Sequence, residues 1–309
     1  VSEFASEPVP RGSGLKVALV VSPASGAGAA ARVAGSVAAR IRPVAGEFVQ
    51  SVARSGEHAV DLARSAVESG VDVLAMLGGD GAAHAGLQAC AGSATAFAVV
   101  PAGTGNDLAA ALGWPRTSLA AADAFAAALT RGAWGRLDLG RVEGGAWFAT
   151  VLCAGFDSAV NERANRMRWP RGPKRYDLAI LAELAHLRAR PLVVETDRER
   201  LELDATLVAV GNTPCYGGGI PVCPDADAGD GLFDLTVVTA APRALMVKML
   251  PRLRSGRHVE LPEVRTLRAR SVRLGGDNDW VAYADGERQA ELPMTVTSVP
   301  GALRVLVPE

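Results

Sequence analysis

The sequence predicts an α/β domain on a parallel sheet, followed by a β-rich, sandwich-like domain. Three observations carry this. Short apolar runs alternate with alanine-rich helical segments four times before residue 115. Three of those alternations turn on glycine-bearing loops. From about Arg136 the texture changes to short strand-like runs with turn residues between them. Alternation argues for parallel strands joined by right-handed crossovers, and successive strands argue for an antiparallel sandwich.

Residues 1–14, VSEFASEPVPRGSG, are polar and proline-containing and read as a flexible start. LKVALVV (15–21) is a continuous valine-rich run, as a buried parallel strand requires. It breaks at SPASGAG and continues into AAARVAGSVAARI, whose alanine and arginine favour helix. EFVQSV reads as a strand, EHAVDLARSAVESG as a helix ending on Gly70, and VDVLAML as the next strand. GGDG is its loop and AAHAGLQAC a helix; TAFAVV, PAGTGND and LAAALG repeat the unit, stopped by Gly113 and Pro115. A helix over 118–130 closes this half. GRLDLGRVEGGAWFATVLCAGF reads as two strands around a turn at Gly144–Gly145. After a basic loop and a helix over 176–189 come the strand-like runs PLVVET, ATLVAVGN, LFDLTVV, SVRLGG and MTVTSV. The expected organisation is 15–135 for the first domain, 136–300 for the second, and 301–309 as a C-terminal strand or tail.

A chain of 309 residues is comfortable for two domains, and 49% hydrophobic content supplies a sizeable core. The net charge of −1 gives no bulk attraction to nucleic acid or to an anionic membrane. Lys16, Lys174 and Lys248 are the only lysines, so 29 of the 32 basic residues are arginine. The four cysteines form no CxxC pair and fit reduced thiols. The start lacks a signal-peptide core, and no run approaches the roughly 18 apolar residues of a spanning helix. A soluble, cytoplasmic protein is expected. Oligomeric state is not legible.

The loops Ser22–Gly28, Gly78–Gly81 and Ala102–Asp107 each end a strand and open a helix. In an open parallel sheet such loops converge on one edge, where ligands bind. Helix N-termini offer unpaired N–H groups and a positive dipole end, which suits a phosphate without a lysine. Each loop alone reads equally well as a turn; three in register do not. GAGAAA (26–31) also matches the dinucleotide fingerprint, with Glu47 about twenty residues on. However, SPAS intervenes before the glycines, and Glu47 starts its strand instead of ending it. A Walker A loop is absent.

GGDG with PAGTGNDLAAALG, preceded by SPASGAG and followed by YADGE (283–287), resembles the diacylglycerol kinase catalytic-domain family of bacterial lipid kinases and sphingosine kinases. The resemblance runs from about residue 15 to the C-terminus. It implies a phosphofructokinase- and NAD-kinase-like first domain, with ATP and Mg²⁺ as cofactors and ATP in the cleft between the domains. Carried over by motif, Ser22, Pro23, Ser25, Gly26, Gly28, Gly78, Gly79, Gly81, Ala82, His84, Thr104, Gly105 and Asn106 would meet the nucleotide. Asp285 and Glu287 are the candidates for the base, with Asp80 a third. The family's magnesium turn maps Asp230 as a side-chain ligand, with the carbonyls of Asp227 and Leu232 beside it. Ser22 stands where the family usually has asparagine, and the nearest cation to that loop is Arg32. Ala82 and Ala85 replace the usual threonine and glutamate.

Phosphoryl transfer asks the protein to hold the γ-phosphate, neutralise its charge and orient a hydroxyl. Backbone amides can do the first, and a carboxylate such as Asp80 could hold Mg²⁺ directly or through water. Without the resemblance, ADGE reads as a hairpin turn, because Asp-Gly favours type I′. PDADAGDG (224–231) reads as a structural cation loop or a solvated acidic turn and fails the EF-hand spacing. His58, His84, His186 and His258 show no zinc spacing, and His84 reads as a helix-surface residue. Residues 163–175, with Arg163, Arg166, Arg168, Arg171, Lys174 and Arg175 around Trp169, would suit peripheral docking on anionic lipid or a solvated loop. The expected partners are ATP and a lipid with a free hydroxyl, and not nucleic acid. The expected function is an ATP- and Mg²⁺-dependent lipid kinase. The alternatives are a kinase of a soluble alcohol and a nucleotide-binding protein impaired in catalysis.

Overall fold

The computed structural model describes residues 14–167, 178–179, 182–183, 187–240 and 243–308. Strands β1 (Lys16–Val21), β2 (Glu47–Val52), β3 (Val73–Gly78) and β4 (Ala96–Pro101) run parallel in the order β2-β1-β3-β4. Every residue of β3 and β4 is buried, as strands covered on both faces require. The connections run through helices α1 (Ser25–Ile41), α2 (Gly56–Glu68) and α3 (Asp80–Cys90). After β4 come α4 (Asp107–Ala111) and α5 (Ser118–Arg131). Helix α2 starts where the Ser55 hydroxyl accepts the His58 N–H at 3.1 Å, an N-cap. Helix α3 lies close on the sheet because residue 86 is glycine. A Cβ there would sit 2.4 Å from Met76 Cγ and 2.6 Å from Phe97 Cε2 and lift the helix.

The chain continues through β5 (Trp134–Val142), β6 (Trp147–Phe148), β7 (Val151–Gly155), α6 (Phe156–Arg166), β8 (Arg190–Thr196), β9 (Arg200–Gly211) and β10 (Phe233–Thr239). It ends with α7 (Arg243–Arg254), β11 (Val264–Ala269), β12 (Ser271–Gly275), β13 (Val281–Ala284), β14 (Glu287–Glu291) and β15 (Met294–Leu306). Here the pairing is antiparallel: β12 lies between β15 and β8, β9 joins β8, β7 and β10, and β13 links β7 to β14. The architecture is the expected one, an α/β half on a parallel sheet and a β-rich half.

Strand β15 joins the halves. Its start, Met294 and Val296, packs in the core of the β-rich part, while Leu303, Val305 and Leu306 pack in the core of the α/β part. Val305 pairs with Phe97 of β4, so the end of the chain extends the parallel sheet.

Three local expectations change. The turn at 144–145 joins β5 to β6, but VLCAG is a separate strand that pairs with β9 and β13. Helix α6 takes in residues 161–166, the start of the segment expected as a basic loop. Glu162 and Arg166 pair at i and i+4 there, and Arg163 pairs with Glu183. Helix α7, which carries Pro251 inside it, was not expected from the sequence. Arg168, Trp169, Arg171, Lys174 and Arg175, and half of the helix expected over 176–189, lie outside the described residues. No helix among the described residues is long and apolar enough to cross a membrane.

Candidate active site

The three glycine loops meet at the C-terminal edge of β1, β3 and β4. The first is a left-handed turn: Gly26, Ala27 and Gly28 have φ of 60°, 53° and 86°. A Cβ on Gly26 would stand 2.0 Å from the Ala102 carbonyl oxygen, so glycine is what lets the first and third loops touch. Ser25 Oγ lies 3.3 Å from Ser22 Oγ and accepts the Gly79 N–H at 3.2 Å, tying the first loop to the second. Pro23 completes the turn between β1 and Ser25. Gly78 leaves room for Ala82, whose Cβ would be 2.4 Å from an added one, and a Cβ on Gly103 would strike Gly79 Cα at 2.5 Å. Thr104 is exposed at the tip of the third loop. Arg32 folds back over the first loop and donates to the Ala27 carbonyl at 3.3 Å.

Asp80 locks the second loop to the third. Its carboxylate accepts the N–H of Asn106 at 2.8 Å and that of Asp107 at 2.7 Å, capping α4. Gly105 permits the approach, since a Cβ there would lie 2.5 Å from Asp80 Oδ2. Asn106 holds φ of 59° and closes the loop by exchanging two bonds with Gly103, each 2.9 Å.

Asp107 reaches into the β-rich half. Its Oδ1 accepts the N–H groups of Gly218 at 2.8 Å and Gly219 at 3.0 Å. Gly217, Gly218 and Gly219 all have positive φ, a backbone path open to glycine. Burial pushes the Asp107 carboxyl above the usual range and Asp80's charge adds to it, against the N–H groups of the glycine loop.

Opposite the second loop stands the β13–β14 hairpin. Asp285 and Gly286 are its turn, with φ of 52° and 84°, the left-handed pair a tight hairpin asks for. Asp285 is anchored: it accepts Ala149 N–H at 2.9 Å, Thr150 N–H at 2.9 Å and Thr150 Oγ1–H at 2.5 Å. Glu287 differs. It is exposed, and its Oε1 lies 3.9 Å from where a Gly81 Cβ would stand. His84 is no surface residue: its side chain is 14% exposed, with Nδ1 3.7 Å from Asp285 Oδ2.

The structure therefore brings together the three loops, Asp80, His84, Asp285 and Glu287. Asp227, Asp230 and Leu232 sit apart, on the turn between β9 and β10. There Asp230 Oδ1 accepts the Leu232 N–H at 2.9 Å and Oδ2 pairs with Arg268, which also holds Asp234 at 3.2 Å. Asp227 Oδ1 accepts the Gly229 N–H at 3.0 Å. The Arg268 guanidinium thus pairs with the one side chain that the resemblance assigned to a cation. Among the described residues no three acidic, histidine or cysteine side chains form a metal cluster. A cavity of about 360 Å³ beside this turn, lined in part by Asp225, Asp234 and Arg268, is separate from the glycine loops.

Sequence reading placed Asp107 only within the third loop and missed Gly217–Gly219, Asp138 and Asn212. Buried Asp138 accepts Gly231 N–H at 2.7 Å and Gly301 N–H at 2.6 Å. Asn212 donates to the carbonyls of Asp138 and Ala149, each at 2.8 Å. The three consecutive glycines were the one signal available.

Residues 16–142 match the model of the diacylglycerol kinase catalytic domain, and residues 150–307 match the YegS C-terminal NAD kinase beta sandwich-like domain. With the fold, these matches define a kinase, an enzyme that phosphorylates an alcohol. A diacylglycerol kinase of Mycobacterium tuberculosis is 41% identical over 301 residues, covering 95% of each chain. The chain belongs to the diacylglycerol kinase family. A diacylglycerol kinase of Bacillus subtilis is 26% identical over 255 residues, covering 81% of this chain and 82% of that one. A solved structure from Bacillus anthracis superposes with a TM-score of 0.81 over 98% of each chain at 20% identity, a likeness of fold.

Proposed function

We propose that the protein transfers the γ-phosphoryl group of ATP to the free hydroxyl of a lipid of the diacylglycerol type. The observation that carries the chemistry is the contrast between two acids on one hairpin. Asp285 spends both oxygens on Ala149 and Thr150, whereas the Glu287 carboxylate faces Gly81 and accepts no hydrogen bond from the described residues. Glu287 is the general base, and Asp285 is the brace that fixes its turn.

The backbone of the three loops and the N-termini of α1 and α3 hold the nucleotide phosphates, with Arg32 supplying side-chain charge. Mg²⁺ carried with ATP would neutralise phosphate charge, and no residue of this chain is assigned to hold it. Glu287 takes the proton of the lipid hydroxyl as that oxygen bonds to the γ-phosphorus. The bond to the bridging oxygen breaks, and ADP leaves with the electron pair.

The test is transfer of labelled γ-phosphate from ATP into vesicles containing diacylglycerol, with wild type beside Glu287→Gln. The variant should lose about a hundredfold to ten-thousandfold in kcat while binding ATP within about threefold of wild type. A variant as active as wild type would remove Glu287 from the chemistry. Label entering only soluble alcohols would overturn the acceptor class.

A further inference from the structure

Helix α3 carries His84 and Gln88 one turn apart on the same face. The Gln88 amide is oriented by backbone. Its Oε1 accepts the Trp147 N–H at 3.1 Å, and its Nε2 donates to the Trp147 carbonyl at 2.7 Å. A flipped amide would set NH₂ against N–H and oxygen against oxygen, so this assignment is the one the network permits. The same Nε2 lies 3.3 Å from His84 Nε2. A donor stands there, so His84 Nε2 accepts, and the ring's proton belongs on Nδ1.

That proton points across the cleft. His84 Nδ1 is buried, has no hydrogen-bond partner, and lies 3.7 Å from Asp285 Oδ2. The gap is about 0.8 Å longer than a normal N–H···O bond. Bonds of this kind in nucleotide-free enzymes are often long and shorten in the reacting complex. Everything around the gap is fixed. Trp147 orients Gln88, the Arg141 guanidinium lies 4.6 Å from the Trp147 ring centroid, and Ala149 and Thr150 hold Asp285.

We infer that His84 is a positioning residue, a latch whose Nδ1–H closes onto Asp285 when nucleotide binds and so sets Glu287 against Gly81. The latch rests on the kinase reading above. It joins the helix that opens at the GGDG loop to the hairpin that carries the base, and it acts through Asp285 without touching substrate.

Two readouts test it on the full chain. With ¹⁵N-labelled histidine at about pH 8, two-bond nitrogen–proton correlation should show His84 as the neutral Nδ1–H tautomer, identified by the signal lost in His84→Asn. Saturation with ADP should shift its Nδ1 resonance. An Nε2–H tautomer, an imidazolium, or an Nδ1 signal unmoved by ADP overturns the latch. In the transfer assay, His84→Ala and His84→Gln should lower kcat at least about tenfold with KM for ATP changed less than about threefold. His84→Asn, whose amide N–H₂ can stand where Nδ1–H stands, should recover most of that loss. An asparagine variant as impaired as the alanine one, or an alanine variant as fast as wild type, also overturns it. If wild type transfers no phosphate to any acceptor, the kinase reading fails, and the tautomer and its response to ADP still decide the latch.

Discussion

The spacing of the first and third glycine loops is set by one hydrogen atom. At Gly26 a methyl group would meet the Ala102 carbonyl oxygen at 2.0 Å, while at Gly28 the nearest atom is Arg32 Nη1 at 3.3 Å, the end of a flexible side chain. Both glycines are left-handed, so alanine at either costs about 1–2 kcal/mol of backbone strain. That strain is bearable here, since Ala27 between them already holds φ of 53°. Only Gly26→Ala adds displacement. An ordinary contact begins near 3.4 Å, so the first and third loops must part by about 1.4 Å. Misplacement of about 1 Å in a positioned site costs on the order of a hundredfold in rate.

Gly26→Ala should therefore lose about a hundredfold in kcat/KM for ATP, and Gly28→Ala less than about tenfold. Both should melt about 2–8 °C below wild type from strain alone, with Gly26→Ala the lower of the two. Calorimetric ATP affinity, labelled transfer and thermal melting separate these terms. Equal affinity and equal kcat/KM in the two variants would show that contact with Ala102 does not set the loop spacing.

Other consequences follow from the buried acids, the thiols and the Arg268 pair. Burial raises the Asp138 carboxyl, with Asp230 and Asp227 adding, so the folded state binds this proton more tightly than the unfolded chain. Its contribution to stability is present below the ordinary carboxylate range and is lost as pH rises through the raised value. The stability of wild type minus that of Asp138→Asn should therefore fall as pH rises above the ordinary carboxylate range, and urea titrations showing it grow would contradict the sign. Cys90 and Cys223 are buried, with thiols pushed up to about 12, and Cys153 is buried too. A thiol reagent should therefore label the native protein at Cys215 alone, and labelling that survives Cys215→Ser would refute this. Arg268→Gln frees Asp230 and Asp234, so Mg²⁺ should raise the melting temperature of the nucleotide-free variant and leave nucleotide-free wild type unmoved. A Mg²⁺-dependent rise in wild type would mean that the turn takes a cation after all.

The α/β half was legible because its signals are local. Apolar runs, glycine loops and alanine-rich helices declare themselves within a dozen residues, and the strands of the parallel sheet follow in register. The β-rich half was legible only as a class. Strand β15 serves both cores, and VLCAG leaves its sequence neighbours to pair with β9, arrangements decided by contacts far along the chain. His84 read as a surface histidine because its partners, Gln88 aside, stand on the hairpin far along the chain. Asp107 looked like part of a motif, and its real partner is a glycine loop more than a hundred residues away.

Those long-range partners bear on the proposal that an edge so rich in acid receives phosphate. Asp80, Asp107 and Asp285 all lie on it, and three free carboxylates would repel the nucleotide. Each instead accepts at least two N–H groups: Asp80 from loop three, Asp107 from the glycine loop, Asp285 from Ala149 and Thr150. Backbone dipoles offset their charge, and the acids serve as rivets between loops that carry no regular structure of their own. Glu287 is the acid at the edge left without such a bond among the described residues. The sequence offers Asp80, Asp285 and Glu287 as candidates for the base without choosing among them; the one without such a bond is the one the proposed mechanism uses.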